Sequence, residues 1–260
     1  MMNTPISQKV ALITGGSKRI GRQISQTLHA FGYQIVIHYH QSFDTAKSLC
    51  DELNAIRPHS AKIVQADLSI VNDKAKLTDF KTQVLASFGR LDCIIHNASS
   101  FYPSSLGDDF DNLQNHWDDL FLTNAKAPLF ISQVFLDELT KNHGQIVSLL
   151  DIHADNKPFI GYPIYTMAKA AHKAMVHSLA LELSPNVRVN GVSPGVNVLP
   201  PDFDENQSQL LLNSVPLKQI GTPSDIAQTV LFLLNAPYIT GQVIAVDGGR
   251  SLTLKGDWGI

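Results

Sequence analysis

Leu12-Ile13-Thr14-Gly15-Gly16-Ser17-Lys18-Arg19-Ile20-Gly21 is the stretch whose reading decides the fold. Val10 to Ile13 forms a short apolar run of strand length, and Thr14 to Ser17 is a turn. From there Ile20, Ile24, Leu28 and Phe31 recur at the spacing of a helix face, which Gly32 closes. Strand, glycine-rich turn and helix in succession set the unpaired N–H groups and positive dipole end of a helix beside a turn open enough for a phosphate. The pattern Gly15-x-x-x-Arg19-x-Gly21 differs from G-x-G-x-x-G, and a strand-to-helix corner also needs small residues for steric reasons alone. A dinucleotide pyrophosphate site and a plain turn are both open at this point.

Outward from the turn, short apolar runs alternate with amphipathic helical stretches. Strands are expected over residues 34–38, 61–66, 91–96, 145–150, 188–192 and 242–246. Helices are expected over 44–57, where Pro58 stops the chain, over 73–88 before Gly89, and from Tyr165 to about Leu183. A further long helical segment covers 117–139, bent or divided at Pro128, and Thr222-Pro223-Ser224-Asp225 starts the last helix. This alternation predicts an α/β fold: a single-domain Rossmann-type doubly wound parallel sheet over residues 1–260, with helices on both faces and right-handed crossovers. Residues 196–220 read either as a substrate loop that moves as a lid or as a surface insertion with one short helix.

Composition narrows the function classes. With 44% hydrophobic and 17% charged residues, 260 residues can bury a large core. A formal charge of −3 provides no field for nucleic acid or an anionic membrane. Two cysteines, Cys50 and Cys93, make no disulfide framework, which suits reduced thiols in the cytoplasm. The first residues, Met1 to Ile6, lack the pattern of a signal peptide, and no apolar run reaches membrane-spanning length, so neither feature is expected. No metal site is expected.

In an open parallel sheet the ligand crevice lies outside the carboxyl ends of the strands, so the residues just after each strand are the candidates. After the second strand, His38-Tyr39-His40-Gln41-Ser42 contains no carboxylate for a ribose 2′-hydroxyl. With Arg19 it favours the 2′-phosphate of NADPH, unless the histidines merely alternate along a strand end. Asp67, followed by Leu68, is placed for the adenine edge. Asn97-Ala98-Ser99 would let a cofactor lie close to backbone, although Asn97 could equally cap a turn. The strongest pair is Tyr165-x-x-x-Lys169, whose i,i+4 spacing puts both side chains on one helix face. An ammonium there lowers the phenol pKa toward the range of a proton shuttle.

Together the glycine turn, Asp67-Leu68, Asn97-Ala98, Asn124, Tyr165 with Lys169, Pro194-Gly195 and Asp247-Gly248-Gly249 resemble the short-chain dehydrogenase/reductase family over nearly the whole chain. Two departures stand out: Arg19 replaces the middle glycine of the family turn, and Asp151 emerges where the family carries a serine, with Ser148 left inside the strand. These, with His38-Tyr39-His40 and Asn97-Ala98-Ser99-Ser100-Phe101-Tyr102-Pro103, resemble the pteridine reductases of that family. The resemblance implies reduction of a pterin C=N bond with NADPH, on a pterin or folate substrate, and usually a homotetramer. Asp151, Tyr165, Lys169 and Asn124 would be catalytic, and Gly15, Ser17, Arg19, Ile20, His38, Tyr39, His40, Ser42, Asp67, Leu68, Asn97, Ala98, Ser99, Lys169, Pro194 and Gly195 would hold the cofactor. Arg19, Ser99, Phe101, Asp151 and Tyr165 would contact the substrate, with Phe101 stacked on the pterin. Asp155 competes with Asp151, which lies fourteen positions before Tyr165, and Asn197 stands where a serine is expected. A carbonyl reductase of the same family, acting on a ketoacyl thioester, is the alternative.

Overall fold

The computed structural model describes residues 9–154, 158, 160–197 and 204–253. The chain runs β1 (Val10–Ile13), α1 (Arg19–Ala30), β2 (Gln34–Tyr39), α2 (Phe43–Ile56), β3 (Ala61–Gln65), α3 (Lys74–Phe88) and β4 (Cys93–His96). It continues through α4 (Phe110–Phe121), α5 (Ala127–Val134), α6 (Leu136–Lys141), β5 (Gln145–Leu149), α7 (Pro163–Glu182), β6 (Arg188–Pro194), α8 (Glu205–Ser214), α9 (Pro223–Asn235) and β7 (Val243–Val246). The strands form one sheet in the order β3-β2-β1-β4-β5-β6-β7, with every described pairing parallel. The expected Rossmann-type α/β fold is what the chain adopts.

Parallel strands are covered on both faces, so their residues read as continuous apolar runs. Ile13, Ile35, Ile37 and Ile95 face α1, α2 and α9, where they meet Ile24, Leu28, Leu49 and Val230. Leu12, Val36, Ile94 and Ile146 face the other layer and meet Phe80, Ile131 and Val176 of α3, α5 and α7. Asp73 caps α3 by accepting from the backbone N–H groups of Ala75 and Lys76, and Gly89 ends it in the left-handed region at φ 73. Arg57, before Pro58, is extended and terminates α2.

The helical segment expected over 117–139, bent or divided at Pro128, is corrected in its start and in the place of its break. Asp109 caps α4 through the Asn112 N–H, so helix begins at Phe110. A π-helical turn at Leu122–Lys126 then leads into α5, with Pro128 in the first turn, where its missing N–H costs nothing. The break falls at Phe135, between α5 and α6. Within 196–220, α8 opens with a reciprocal capping box between Asp204 and Gln207. Among the described residues no helix is long and apolar enough to cross a membrane, and no cluster of potential metal ligands occurs. Both cysteines are buried and free.

Candidate active site

The carboxyl ends of β1, β2 and β4 meet at the glycine turn. Gly15 takes φ +60, and a Cβ there would sit 3.2 Å from Ala98 Cα. At Gly21 a Cβ would lie 2.3 Å from the Gly15 carbonyl oxygen and 2.6 Å from Asn97 Nδ2, so the first turn of α1 rests directly on the turn backbone. Arg19, in place of the family's middle glycine, adopts φ 48, a region that glycine enters without cost and other residues rarely occupy. Its side chain is exposed. The start of α1 has no side-chain cap and no acidic residue in its first turn. Uncapped N–H groups, a close-packed turn and a cation at its lip fit a nucleotide diphosphate.

Neutral side chains brace this turn from behind. Thr14 Oγ1 donates to the Ile95 carbonyl at 3.3 Å and accepts from the N–H groups of Asn97 (2.9 Å) and Ala98 (3.1 Å). Asn97 Nδ2 donates to the carbonyls of Thr14 (2.9 Å) and Gly15 (3.0 Å), so it ties β4 to the turn. Ser25 Oγ donates to the carbonyls of Gly16 and Gly21.

Three of the residues expected at the cofactor are buried. His38 is 2% exposed, accepts the Gly15 N–H at Nδ1 (3.1 Å) and has Nε2 3.1 Å from the Ala66 carbonyl oxygen. Burial pushes its pKa down to about 4, so it is a neutral brace and not a cationic partner for a 2′-phosphate. Tyr39 and Leu68 are buried in the core, Tyr39 against Phe43. His40, by contrast, is half exposed, with Nε2 3.3 Å from Asp67 Oδ2, and Asp67 also accepts the Ser69 N–H at 2.8 Å. That backbone bond, outweighing the opposing effect of burial, holds the Asp67 carboxyl below its ordinary range. Ser17 Oγ lies 3.4 Å from Ser42 Oγ. Ile20 packs against the core beneath the turn.

Beyond β5 the environment changes. Pro163 occupies the first turn of α7, which starts two residues before Tyr165. Tyr165 is buried, and its Oη donates to Asp151 Oδ2 at 2.7 Å. Burial raises the Tyr165 pKa well above 10, and the Asp151 carboxylate adds to the rise. Burial and Asp151 thus act against the lowering expected from Lys169. Lys169 Nζ donates to the Leu149 carbonyl at 3.0 Å and lies 5.8 Å from the Tyr165 ring centroid. Burial brings the Lys169 pKa down to about 8, against the pull of Asp151. Asn124, on the π-helical turn, is fully buried; it donates to the carbonyls of Ser100 and Leu120, and its Oδ1 accepts from Ser99 Oγ at 2.6 Å. Asp155 lies outside the described residues.

Phe101 stacks on Tyr162, with centroids 4.8 Å apart and planes 8° from parallel, and meets Tyr165 edge-on at 4.8 Å. It is nevertheless 53% exposed, as a recognition surface for a flat ring requires. Tyr162 escaped the sequence reading. Its place three residues before Tyr165, one helical turn away, is the signal that would have found it. At the far side of the crevice Pro194 ends β6, and a Cβ at Gly195 would lie 2.6 Å from that of Asp247, which makes glycine obligatory there. Asn197 Nδ2 donates to the Gly195 carbonyl at 3.0 Å.

A doubly wound sheet with a phosphate-ready turn at β1 and a Tyr–Lys helix beyond β5 defines a nucleotide-dependent oxidoreductase. The comparisons agree. Residues 15–251 match the family described as Enoyl-(Acyl carrier protein) reductase. The chain is 39% identical to pteridine reductase 1 of Leishmania tarentolae, covering 97% of this chain and 99% of that protein. It is 34% identical to a 3-oxoacyl-(acyl-carrier-protein) reductase of Staphylococcus epidermidis, over 93% and 98% of the two chains. An oxidoreductase of Bacillus subtilis is 33% identical over 93% and 98%. The chain belongs to the short-chain dehydrogenase/reductase family, whose members use NAD(P)(H).

Proposed function

We propose that this oxidoreductase reduces a C=N bond of a pterin with NADPH, taking a dihydropterin to the tetrahydropterin and acting also on oxidised pterin or dihydrofolate. The observation that carries this reading is the 2.7 Å bond from Tyr165 to Asp151, a carboxylate in the position where the family carries a serine. A ring nitrogen that gains a proton suits an acid pair of this kind. Tyr165 Oη holds the proton to be given, Asp151 orients that hydroxyl, and Lys169 offsets the negative charge as the proton leaves. Bound NADPH supplies the hydride. Phe101 and Tyr162 offer a flat aromatic face beside Tyr165, and the similarity to a named pteridine reductase supports the same substrate class. Arg19, with the exposed His40 and no carboxylate directly after β2, supports the preference for NADPH over NADH. In this reading Gly15, Ser17, Ser42, Asp67, Asn97, Ala98, Pro194 and Gly195 line the cofactor cleft, and Ser99 and Asn124 stand beside the reacting atoms.

The rival reading, a ketoacyl thioester reductase, draws on the acyl-carrier-protein reductases among the relatives. Initial rates with biopterin, dihydrobiopterin, dihydrofolate, dihydromonapterin and a ketoacyl thioester, each with NADPH and with NADH, separate the two. The expected outcome is turnover of pterins with NADPH. Preferential reduction of the thioester, or a clear preference for NADH, overturns the proposal. We also read the protein as a cytoplasmic homotetramer. The exposed apolar side chains of Phe110 and Trp117 on α4, and of Leu129 and Phe130 on α5, provide an association surface that light scattering would test.

A further inference from the structure

The excursion between β6 and α9 departs from the ligand crevice and returns to it. Pro194 ends β6, and the Gly221 N–H donates to the Val196 carbonyl at 3.0 Å, so both ends of the excursion meet at one neck. A Cβ at Gly221 would lie 2.5 Å from Asn197 Oδ1, which makes the neck tight. In a parallel sheet this position, outside the carboxyl end of a strand, is the edge of the crevice. The helix of the excursion, α8, buries none of its residues. Its own apolar side chains therefore do not anchor it, and the stretch that follows it does.

That stretch docks on the turn after β7. Val215 is buried, and a Cβ at Gly248 would come within 2.6 Å of its Cγ1, while one at Gly249 would come within 3.2 Å of the Pro216 ring. Gly248 and Gly249 take φ +63 and +85, which glycine alone adopts without strain. The Leu217 N–H donates to the Gly248 carbonyl at 3.1 Å. Arg250 adds a charged contact. Its side chain is buried, and Nε donates at 3.1 Å to Oγ of Ser214, the last residue of α8. The Ser214 hydroxyl in turn donates to the Leu211 carbonyl within the helix at 2.7 Å. The turn is braced by Asp247, whose carboxylate accepts the N–H groups of Gly249 (2.9 Å) and Ser251 (2.6 Å). On its other side Asp247 packs against Gly195.

We propose that the turn over residues 247–250 is a clasp that sets α8 against the substrate crevice, with Arg250 as a positioning residue acting through Ser214. A guanidinium is a rigid fork of donors, and when buried it holds its partners in one geometry. Here it meets the C-terminal end of a helix, where the dipole favours a cation. One face of the turn touches Gly195 and the other holds α8, so the clasp ties the substrate side of the crevice to the cofactor side. The proposal rests on the pterin reductase reading only for the substrate in which its effect is measured.

The test compares Arg250→Ala, Ser214→Ala, Ser214→Thr and the double variant of Arg250→Ala with Ser214→Ala against the parent. With NADPH as reductant, the KM for dihydrobiopterin is expected to rise about tenfold in Arg250→Ala and about threefold in Ser214→Ala, with kcat within about twofold and NADPH affinity unchanged. Ser214→Thr keeps the hydroxyl and restores the parent KM. The double variant is no worse than Arg250→Ala alone, as two groups acting through one bond require. Deuterium exchange supplies a readout without substrate: the amides of α8 exchange faster in Arg250→Ala and Ser214→Ala, while those of β6 and α9 keep the parent rates. An unchanged KM for dihydrobiopterin in both single variants overturns the proposal, as do additive losses in the double variant or an equal loss of NADPH affinity. Should Arg250→Ala fail to fold, Ser214→Ala and its rescue by Ser214→Thr decide the matter. Should the parent fail to reduce dihydrobiopterin, the pterin reading falls, and the exchange of α8 still decides the clasp: faster exchange in the variants supports it and unchanged exchange overturns it.

Discussion

Around the glycine turn the polar side chains are matched, whereas beyond β5 they are shifted or left over. Thr14, Ser25, His38 and Asn97 all bond to backbone of the turn or its neighbours, and all are uncharged there. Past β5, Tyr165 and Lys169 are pushed from their ordinary pKa values by burial, and Ser148, Ser193 and His172 carry unpaired polar atoms. The first region is a preorganised seat, in which hydrogen bonds fix backbone geometry before any ligand arrives. The second carries a desolvation cost that folding alone does not repay, which is the mark of groups held for chemistry. Damage to the seat should therefore appear in stability and nucleotide affinity, and damage to the acid pair in turnover.

The largest effect is expected from Tyr165→Phe. Removal of the proton donor should lower kcat by about 10²–10⁴-fold. NADPH affinity, followed by fluorescence titration, should stay within about threefold. A parallel loss of affinity would break the division between the two regions. Gly21→Val tests the other side. Its side chain would collide with the Gly15 carbonyl and Asn97, for a loss of about 3 kcal/mol in urea unfolding and of most nucleotide binding.

A smaller effect concerns pH. His38 titrates near 4 in the folded protein against 6.5 in the unfolded chain, so the unfolded state binds the extra proton first as pH falls. The stabilisation is complete above pH 6.5 and lost as pH drops through 4. Between pH 7 and 4.5 this histidine alone should remove about 2 kcal/mol, measured by urea unfolding at both values. His96, held near 3 by burial, acts in the same direction. The smallest effect is at the start of α9, which packs beside α1 but is closed by a capping box between Thr222 and Asp225. Thr222→Ala should cost about 1 kcal/mol of stability with kcat unchanged, because Thr222 belongs neither to the Tyr165–Asp151 pair nor to the glycine turn.

Much of the architecture was legible because it depends on local chemistry. The apolar runs of β1, β2 and β4, and the helix signals at Asp73, Gly89 and Thr222, each act within a few residues. The start of α4 was hidden because Phe110 is 76% exposed and the first turn presents no buried apolar stripe. The π-helical turn was hidden for a different reason. It turns Asn124 inward to meet Ser99 and Ser100, contacts that exist only once β4 and α4 are packed together.

The same boundary runs through the site. By itself the sequence determined which side chains stand at the carboxyl ends of the strands: the glycine turn with Arg19, Asp151 past β5, and the Tyr165–Lys169 pair. Only the tertiary structure decided their state. It buried His38 behind the turn and made it neutral, stacked Phe101 on Tyr162, raised the Tyr165 pKa where sequence logic lowers it, and joined Arg250 to the end of α8. The reason is physical. Spacing along a chain fixes which residues share a face, but charge, burial and hydrogen bonding depend on segments that are distant in sequence and meet only in the fold.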